Sequence, residues 1–271
     1  HYPLRRQRQM CIRDRDGRDV PLIREKKEAD VLYWAGCSGA YDARGKEISQ
    51  SVVDVFNKAG VDFASLGNEE TCTGDSARRI GNEYLFQMMA TKNMETFKKY
   101  KFKKIVTQCP HCLTTLKNDY SELGANLDVV HHSQYISDLI KNGKIEPEPW
   151  MDDDVTYHDP CYLGRHSGEY DAPRDVIQSI MRDGKLVEME QNKKESFCCG
   201  AGGGNMWYEI KTGERINKNR FNQAVETKAR TVAAACNFCN IMLEDGMKVT
   251  GNDENMQVLD IAEMVSKGLS K

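Results

Sequence analysis

The sequence predicts an α/β protein built as two tandem, duplicated βαβ domains, each on a small parallel sheet. Two observations carry this expectation. The first is a repeat written in cysteine. Cys37, Cys72, Cys109 and Cys112 have counterparts in Cys161, Cys198, Cys236 and Cys239, at offsets of 124, 126, 127 and 127 residues. Four positions recurring at nearly one offset mark an internal duplication. The second is alternation. Strand-like runs alternate with helical ones such as "EISQSVVDVFNKAG" and "NEYLFQMMATKNMETFKKY", the order expected of Rossmann-like parallel βαβ units.

Each element can be justified in turn. Residues 1–28, opening "HYPLRRQRQMCIRDRDGRD", are expected to be a disordered or artefactual extension, with Cys11 incidental. The string "RQRQMCIRDR" resembles the translated adapter-like end of an incomplete gene fragment, so the natural protein is expected to continue upstream. The first domain is expected over 29–145. There "DVLYWAGC" reads as a strand running into Cys37, and "KKIVTQCPHCLTTLKNDY" reads as a strand, a C-x-x-C and a helix. Asp75, Arg78 and Arg79 are expected to cap and flank a helix after the Cys72 loop. The polar, proline-containing segment "KNGKIEPEPWMDDD" (141–154) reads as a linker. The second domain is expected over 153–268, where "DVTYHDPC" and "RTVAAACNFCNIMLEDGM" repeat the two strand-to-cysteine junctions.

Composition excludes several classes. The net charge of −3 argues against a general nucleic-acid binder. No run approaches the roughly 18 apolar residues of a membrane span. No secretory leader pattern precedes the domains, so the chain is expected to be cytoplasmic, with reduced thiols. Ten cysteines in 271 residues, clustered in a reducing compartment, point to metal or redox chemistry.

In open parallel sheets, ligands gather beyond the carboxyl ends of the strands, and there the cysteines that follow strands would meet. In the second repeat this gives Cys161, Cys198, Cys199, Cys236 and Cys239. Each C-x-x-C would open a helix, whose N–H groups favour thiolate. Gly200 and Gly202 in "FCCGAGGG" would let backbone N–H groups approach sulfur. Five thiolates exceed the four of tetrahedral zinc or of a conventional cubane cluster. A nucleotide reading of "AGGGN" fails for want of a Walker lysine or a complete G-x-G-x-x-G.

These residues resemble the cysteine-rich CCG domain of the heterodisulfide reductase B subunit and its relatives, over about residues 29–267. The stretches "GNEETCTGDSARRIGNEYLFQ", "TQCPHCLTTLKNDY", "YHDPCYLGRHSGEYDAPR" and "FCCGAGGGNMW" are most similar to the C-terminal half of membrane-bound iron–sulfur oxidoreductases linked to electron-transfer flavoprotein. The resemblance implies a non-cubane [4Fe–4S] cluster on Cys161, Cys198, Cys199, Cys236 and Cys239. It also implies a flavoprotein electron donor, a membrane quinone acceptor, and ferredoxin-like and cytochrome b-like membrane modules, upstream or separate. The chain itself would be part of an oxidoreductase, peripheral at the inner face of the membrane.

The first repeat departs from that pattern. Thr73 stands where Cys199 stands in the second, leaving Cys37, Cys72, Cys109 and Cys112 for a second [4Fe–4S] cluster or a zinc ion. Rival readings are a disulfide reductase working at a non-cubane cluster and a zinc-stabilised scaffold. Among the histidines, His111, His131, His132 and His166 fall near the cysteine edge. His158, which borders Cys161, is the expected outer group or proton donor.

Overall fold

The computed structural model describes residues 20–207 and 213–269. The chain divides into two units, at Tyr135/Ile136. Residues 1–19 of the expected extension, with Cys11, lie outside the described residues.

In the first unit four strands form a wholly parallel sheet in the order β2-β1-β3-β4. They are β1 (Glu28–Trp34), β2 (Phe63–Ser65), β3 (Lys101–Thr107) and β4 (Val129–His131). Strand β1 is buried from Val31 to Trp34, the continuous apolar reading expected of a parallel strand covered on both faces. Asp42 caps the helix Ala43–Lys58 by accepting from Gly45 N–H at 3.0 Å, and Asn82 caps Glu83–Phe97 by accepting from Leu85 N–H at 3.1 Å. The first helix buries Ile48, Val52, Val53, Val55 and Phe56. Phe56 meets Tyr33, Phe63 and Tyr135 edge-on at 5.7, 5.3 and 5.5 Å, the favoured geometry for aromatic pairs.

Packed structure begins before the expected boundary at residue 29. Val20, Leu22 and Ile23 are buried, Ile23–Lys26 is a short helix, and Leu22 bridges Ser65 in parallel. The apolar group "VPLI" packs although the basic residues before it gave no periodicity.

In the second unit β5 (Val155–Tyr157), β6 (Thr231–Ala234) and β7 (Gln257–Asp260) form a parallel sheet in that order. The duplication is visible strand by strand: β5, β6 and β7 correspond to β1, β3 and β4. The counterpart of β2 is reduced to a single parallel bridge between Val155 and Leu186. The expected linker 141–154 is packed rather than free. Ile145 and Met151 are buried, Glu148 N–H donates to Gly268 O at 3.1 Å, and Trp150 Nε1–H donates to Met264 O at 2.9 Å. Its prolines, Pro147 and Pro149, fix the backbone between apolar residues on either side, Ile145 before them and Trp150 and Met151 after.

The helices Ile216–Glu226 and Asn237–Val249 cross where Gly246 leaves no room: a Cβ there would lie 2.8 Å from Asn217 O and 3.0 Å from Phe221 Cβ. Gly246→Val is expected to lower stability by about 1–3 kcal/mol, read as a lower urea midpoint with an unchanged slope.

Candidate metal centres

In the second unit, β5 runs out into His158-Asp159-Pro160-Cys161, and β6 runs out into Ala235 and Cys236. Cys236 is the N-cap of the helix Asn237–Val249, which carries Cys239 in its first turn. Asn240 Nδ2–H₂ donates to Cys236 O at 3.1 Å and to the buried Asp260 at 3.0 Å, tying this turn to the end of β7. The third loop brings Cys198 and Cys199. Cys239 donates to Cys199 with their sulfurs 3.3 Å apart, and one ring nitrogen of His158 lies with both sulfurs inside 4.8 Å. Cys199, Cys236 and Cys239 are buried; Cys161 and Cys198 are half-buried. Gly200, at φ +92°, donates its N–H to Cys198 Sγ at 3.2 Å, and a Cβ there would press on Ile216 and on the Asn217 backbone. Gly202 differs: a Cβ on it meets nothing within 4 Å, so no close approach demands glycine at that position.

The first unit repeats this arrangement. Cys37 lies in the helix Gly36–Tyr41 after β1, and Cys109 is the N-cap of the helix Pro110–Thr114 that holds Cys112. Gly74, at φ +88°, donates to Cys72 Sγ at 3.4 Å, as Gly200 does to Cys198. Thr73 takes the place of Cys199 in contact as well as in sequence: its Oγ1–H points at Cys112 Sγ, 4.0 Å away. Glu70 fixes the Cys37 loop by accepting from Gly36 N–H at 2.7 Å and Ala35 N–H at 3.3 Å. A cavity of about 240 Å³ opens beside Cys37, Cys72, Glu70 and Tyr33. Asp75, Arg78 and Arg79 lie in the expected helix, Asp75–Arg79. Asp75 bonds His111 Nδ1 at 2.9 Å, Arg79 Nε at 3.0 Å and Thr115 Oγ1 at 3.3 Å, so it fastens the C-x-x-C turn to the Cys72 loop.

Crowding governs the electrostatics. In the second unit Cys199 is held well below the usual thiol range by hydrogen bonds from Cys198 and Cys239 and by nearby His158. Cys239 and Cys198 are pushed up, each first by its bond to Cys199, and burial raises Cys161 to about 11. In the first unit the Cys37 hydrogen bond, with the Gly74 N–H, lowers Cys72 to about 6, while Cys37 rises. Each site thus carries one favoured thiolate to which its neighbours donate. Full deprotonation requires a compensating positive centre, which iron or zinc supplies. The donor sets fit such a centre. They are wholly sulfur, and around them several buried polar atoms have no hydrogen-bond partner: Trp34 Nε1, His158 Nε2, and both side-chain atoms of Asn237.

The other histidines fall elsewhere. His131 and His132 form a buried pair at the end of β4, ring centroids 4.4 Å apart, and His166 is exposed against Tyr162. Two arginines that sequence reading missed stand closer to the second site. Arg174 grips Asp159 in a bidentate pair at 2.8 and 2.9 Å, and Glu188 at 2.7 and 2.9 Å. Arg220, fully buried and lowered by that burial to about 10, donates to His158. Both lie on the buried stripes of their helices, at Ala172, Arg174, Val176, Ile177 in one and Asn217, Arg220, Phe221, Ala224 in the other. Helical period was therefore the available signal.

Two parallel-sheet units, each with cysteines gathered beyond its strand ends, define an α/β thiolate-site protein. The cysteine-rich domain family, CCG, matches residues 31–117 and 155–244, and the chain belongs to it with two copies. The chain is 42% identical over 255 residues to an EtfAB:quinone oxidoreductase of Syntrophomonas wolfei, covering 92% of this chain and 35% of that protein. It is 40% identical to the probable iron-sulfur-binding oxidoreductase FadF of Bacillus subtilis, covering 93% and 36%. Its identity to a component of the dihydromethanophenazine:CoB–CoM heterodisulfide reductase of Methanosarcina barkeri is 36%, covering 92% and 61%. The chain thus spans about a third of the first two relatives and under two thirds of the last.

Arg174→Met would strand the buried Asp159 carboxylate beside Cys161. It is expected to cost about 3–5 kcal/mol, measured by urea unfolding, with Arg174→Lys intermediate because one ammonium cannot grip two carboxylates in bidentate fashion.

Proposed function

We propose that the chain is the iron–sulfur electron-transfer portion of an oxidoreductase, taking electrons from a flavoprotein and passing them toward a membrane quinone. The observation that carries this reading is the gathering of five cysteines at one sheet edge, with Cys199 and Cys239 in contact and Gly200 N–H on Cys198. Cys161, Cys198, Cys199, Cys236 and Cys239 would hold a non-cubane [4Fe–4S] cluster. Cys37, Cys72, Cys109 and Cys112 would hold a second [4Fe–4S] cluster or zinc. Such clusters supply one-electron chemistry with little rearrangement, at a potential tuned by burial and hydrogen bonds. The protein's own contribution is a rigid, water-poor cradle: helix N-termini under the C-x-x-C turns, glycine N–H groups on sulfur, and ion pairs that lock the loops.

The donor and acceptor are supported by the Syntrophomonas wolfei relative, whose name joins EtfAB to quinone. Ferredoxin-like and cytochrome b-like membrane modules would complete the path. Among the described residues no helix is long and apolar enough to cross a membrane, so the quinone would be reached through such a partner at the inner membrane face. Disulfide reduction is the second reading, favoured by the heterodisulfide reductase relative of Methanosarcina barkeri. Thr73 in place of a second adjacent cysteine counts against it.

Anaerobically purified chain is expected to contain about four iron and four sulfide if only the second site is loaded, and about eight of each if both are. Cys199→Ser should abolish or transform the second-site EPR signal. A colourless preparation holding zinc and no iron would sink the electron-transfer reading, and an unchanged Cys199→Ser spectrum would remove the five-thiolate assignment.

A further inference from the structure

Arg220 is among the largest fully buried side chains of the protein, and no part of the cysteine pattern calls for it. Its Nε–H donates to His158 Nδ1 at 2.9 Å. Its remaining N–H groups donate to Gln191 O at 2.9 Å, Gln223 Oε1 at 2.6 Å and Ser196 Oγ at 3.3 Å, so the guanidinium is held on three sides. A guanidinium has donors and no acceptor. His158 Nδ1 must therefore accept, and the imidazole proton must sit on Nε2. That Nε2 is buried, has no hydrogen-bond partner, and belongs to a ring placed among the Cys199 and Cys239 sulfurs.

The first unit carries another ring at the corresponding position. Trp34 stands three residues before Cys37, as His158 stands three before Cys161. It is fully buried, and its Nε1 also lacks a partner. A Cβ built on Gly36 would lie 3.2 Å from Cys112 Sγ and 4.0 Å from Trp34 Nε1, so the indole N–H and that sulfur flank one point. Indole nitrogen can only donate. Imidazole can donate or accept from the same position, and only the arginine decides which.

We propose that Arg220 is a positioning residue that locks His158 in the Nε2–H tautomer, making it a fixed hydrogen-bond donor to the sulfur of the second metal centre, with Trp34 the corresponding donor in the first. This rests on the second centre being an iron–sulfur cluster. Hydrogen bonds to cluster and cysteine sulfur stabilise the more negative, reduced state and so raise the reduction potential. The role needs no proton transfer: the ring orients a dipole at sulfur, and the arginine keeps the dipole pointed that way.

The test is an EPR-monitored redox titration of iron-loaded chain, with iron and sulfide measured on every sample, for wild type, His158→Phe, His158→Gln and Arg220→Lys. His158→Gln keeps an N–H near the Nε2 position; His158→Phe keeps bulk and no donor. Expected is a more negative second-site potential in His158→Phe, recovery toward wild type in His158→Gln, and an unshifted first-site signal where one is present. Proton ENDOR in D₂O should show an exchangeable proton coupled to the second-site spin in wild type and His158→Gln, lost in His158→Phe. Arg220→Lys should move the potential in the same direction as His158→Phe, by less. The His158 pair decides the donor even where Arg220→Lys fails to fold. Wild type without iron overturns the cluster reading itself. Iron-replete His158→Phe at the wild-type potential, or His158→Gln shifted as far as His158→Phe, overturns the donor role. Arg220→Lys at the wild-type potential overturns the lock.

Discussion

Strands β1 and β3 lie parallel with Tyr33 opposite Val106 and Trp34 opposite Thr107, and β5 and β6 lie parallel with Tyr157 opposite Ala233. Both centres depend on this register. Cys37 follows the end of β1 by three residues and Cys109 follows the end of β3 by two; Cys161 and Cys236 stand in nearly the same relation to β5 and β6. Because all strands run one way, every such junction opens at the same edge. A slip of one residue would send each alternate side chain to the other face and separate the thiols. The third loop is fixed more loosely. In the first unit β2 leads toward Cys72; in the second a single bridge at Leu186 replaces that strand.

Bringing thiols together at a buried edge creates an electrostatic problem that the surroundings answer in layers. At the sulfurs, Gly74 and Gly200 each turn an N–H onto a cysteine, at a positive φ that other residues adopt only with strain. Beneath them, the helices that begin at Cys109 and Cys236 present their N-terminal N–H groups. Further out, buried carboxylates hold the loops. Asp75 fastens His111 and Arg79 in one unit, and Asp159 fastens Arg174 in the other. Such pairs add little net stability where both partners are desolvated. Their value here is geometric, since Asp75–His111 and Asp159–Arg174 each join segments separated in sequence.

What the sequence revealed follows from what periodicity and spacing encode. The duplication, the strand-to-cysteine junctions and the C-x-x-C helix starts were legible because each is local or repeats at a fixed offset. The family followed from the same residues, and the α/β class and small parallel sheets agree with it. The packing of 141–154 was not legible, because its polar composition outweighed three apolar residues whose partners, such as Met264 and Ile180, lie far along the chain. Arg174 and Arg220 were passed over because a charged residue on an amphipathic helix ordinarily faces water. The residues around them, Val176 and Ile177 in one helix and Phe221 and Ala224 in the other, mark those faces as buried. An arginine on such a stripe requires specific acceptors, and only the fold shows that Asp159 and His158 are those acceptors.

The asymmetry between the repeats is chemical as well as numerical. Cys199 is the sulfur on which negative charge settles in the second unit, receiving from Cys198 and Cys239. At the corresponding place Thr73 offers a hydroxyl that donates toward Cys112, and in the first unit the favoured thiolate moves to Cys72. One copy therefore has an additional anionic sulfur among its cysteines, and the other has a neutral hydroxyl in that place. The accompanying ring N–H follows the same division: a tryptophan that can only donate beside the four-cysteine set, and an arginine-held histidine beside the five. Two sites built on one backbone plan thus differ in charge at the gathered side chains and agree in having a buried ring N–H beside them. Under the proposed electron-transfer reading, that difference would set the potentials of the two centres apart.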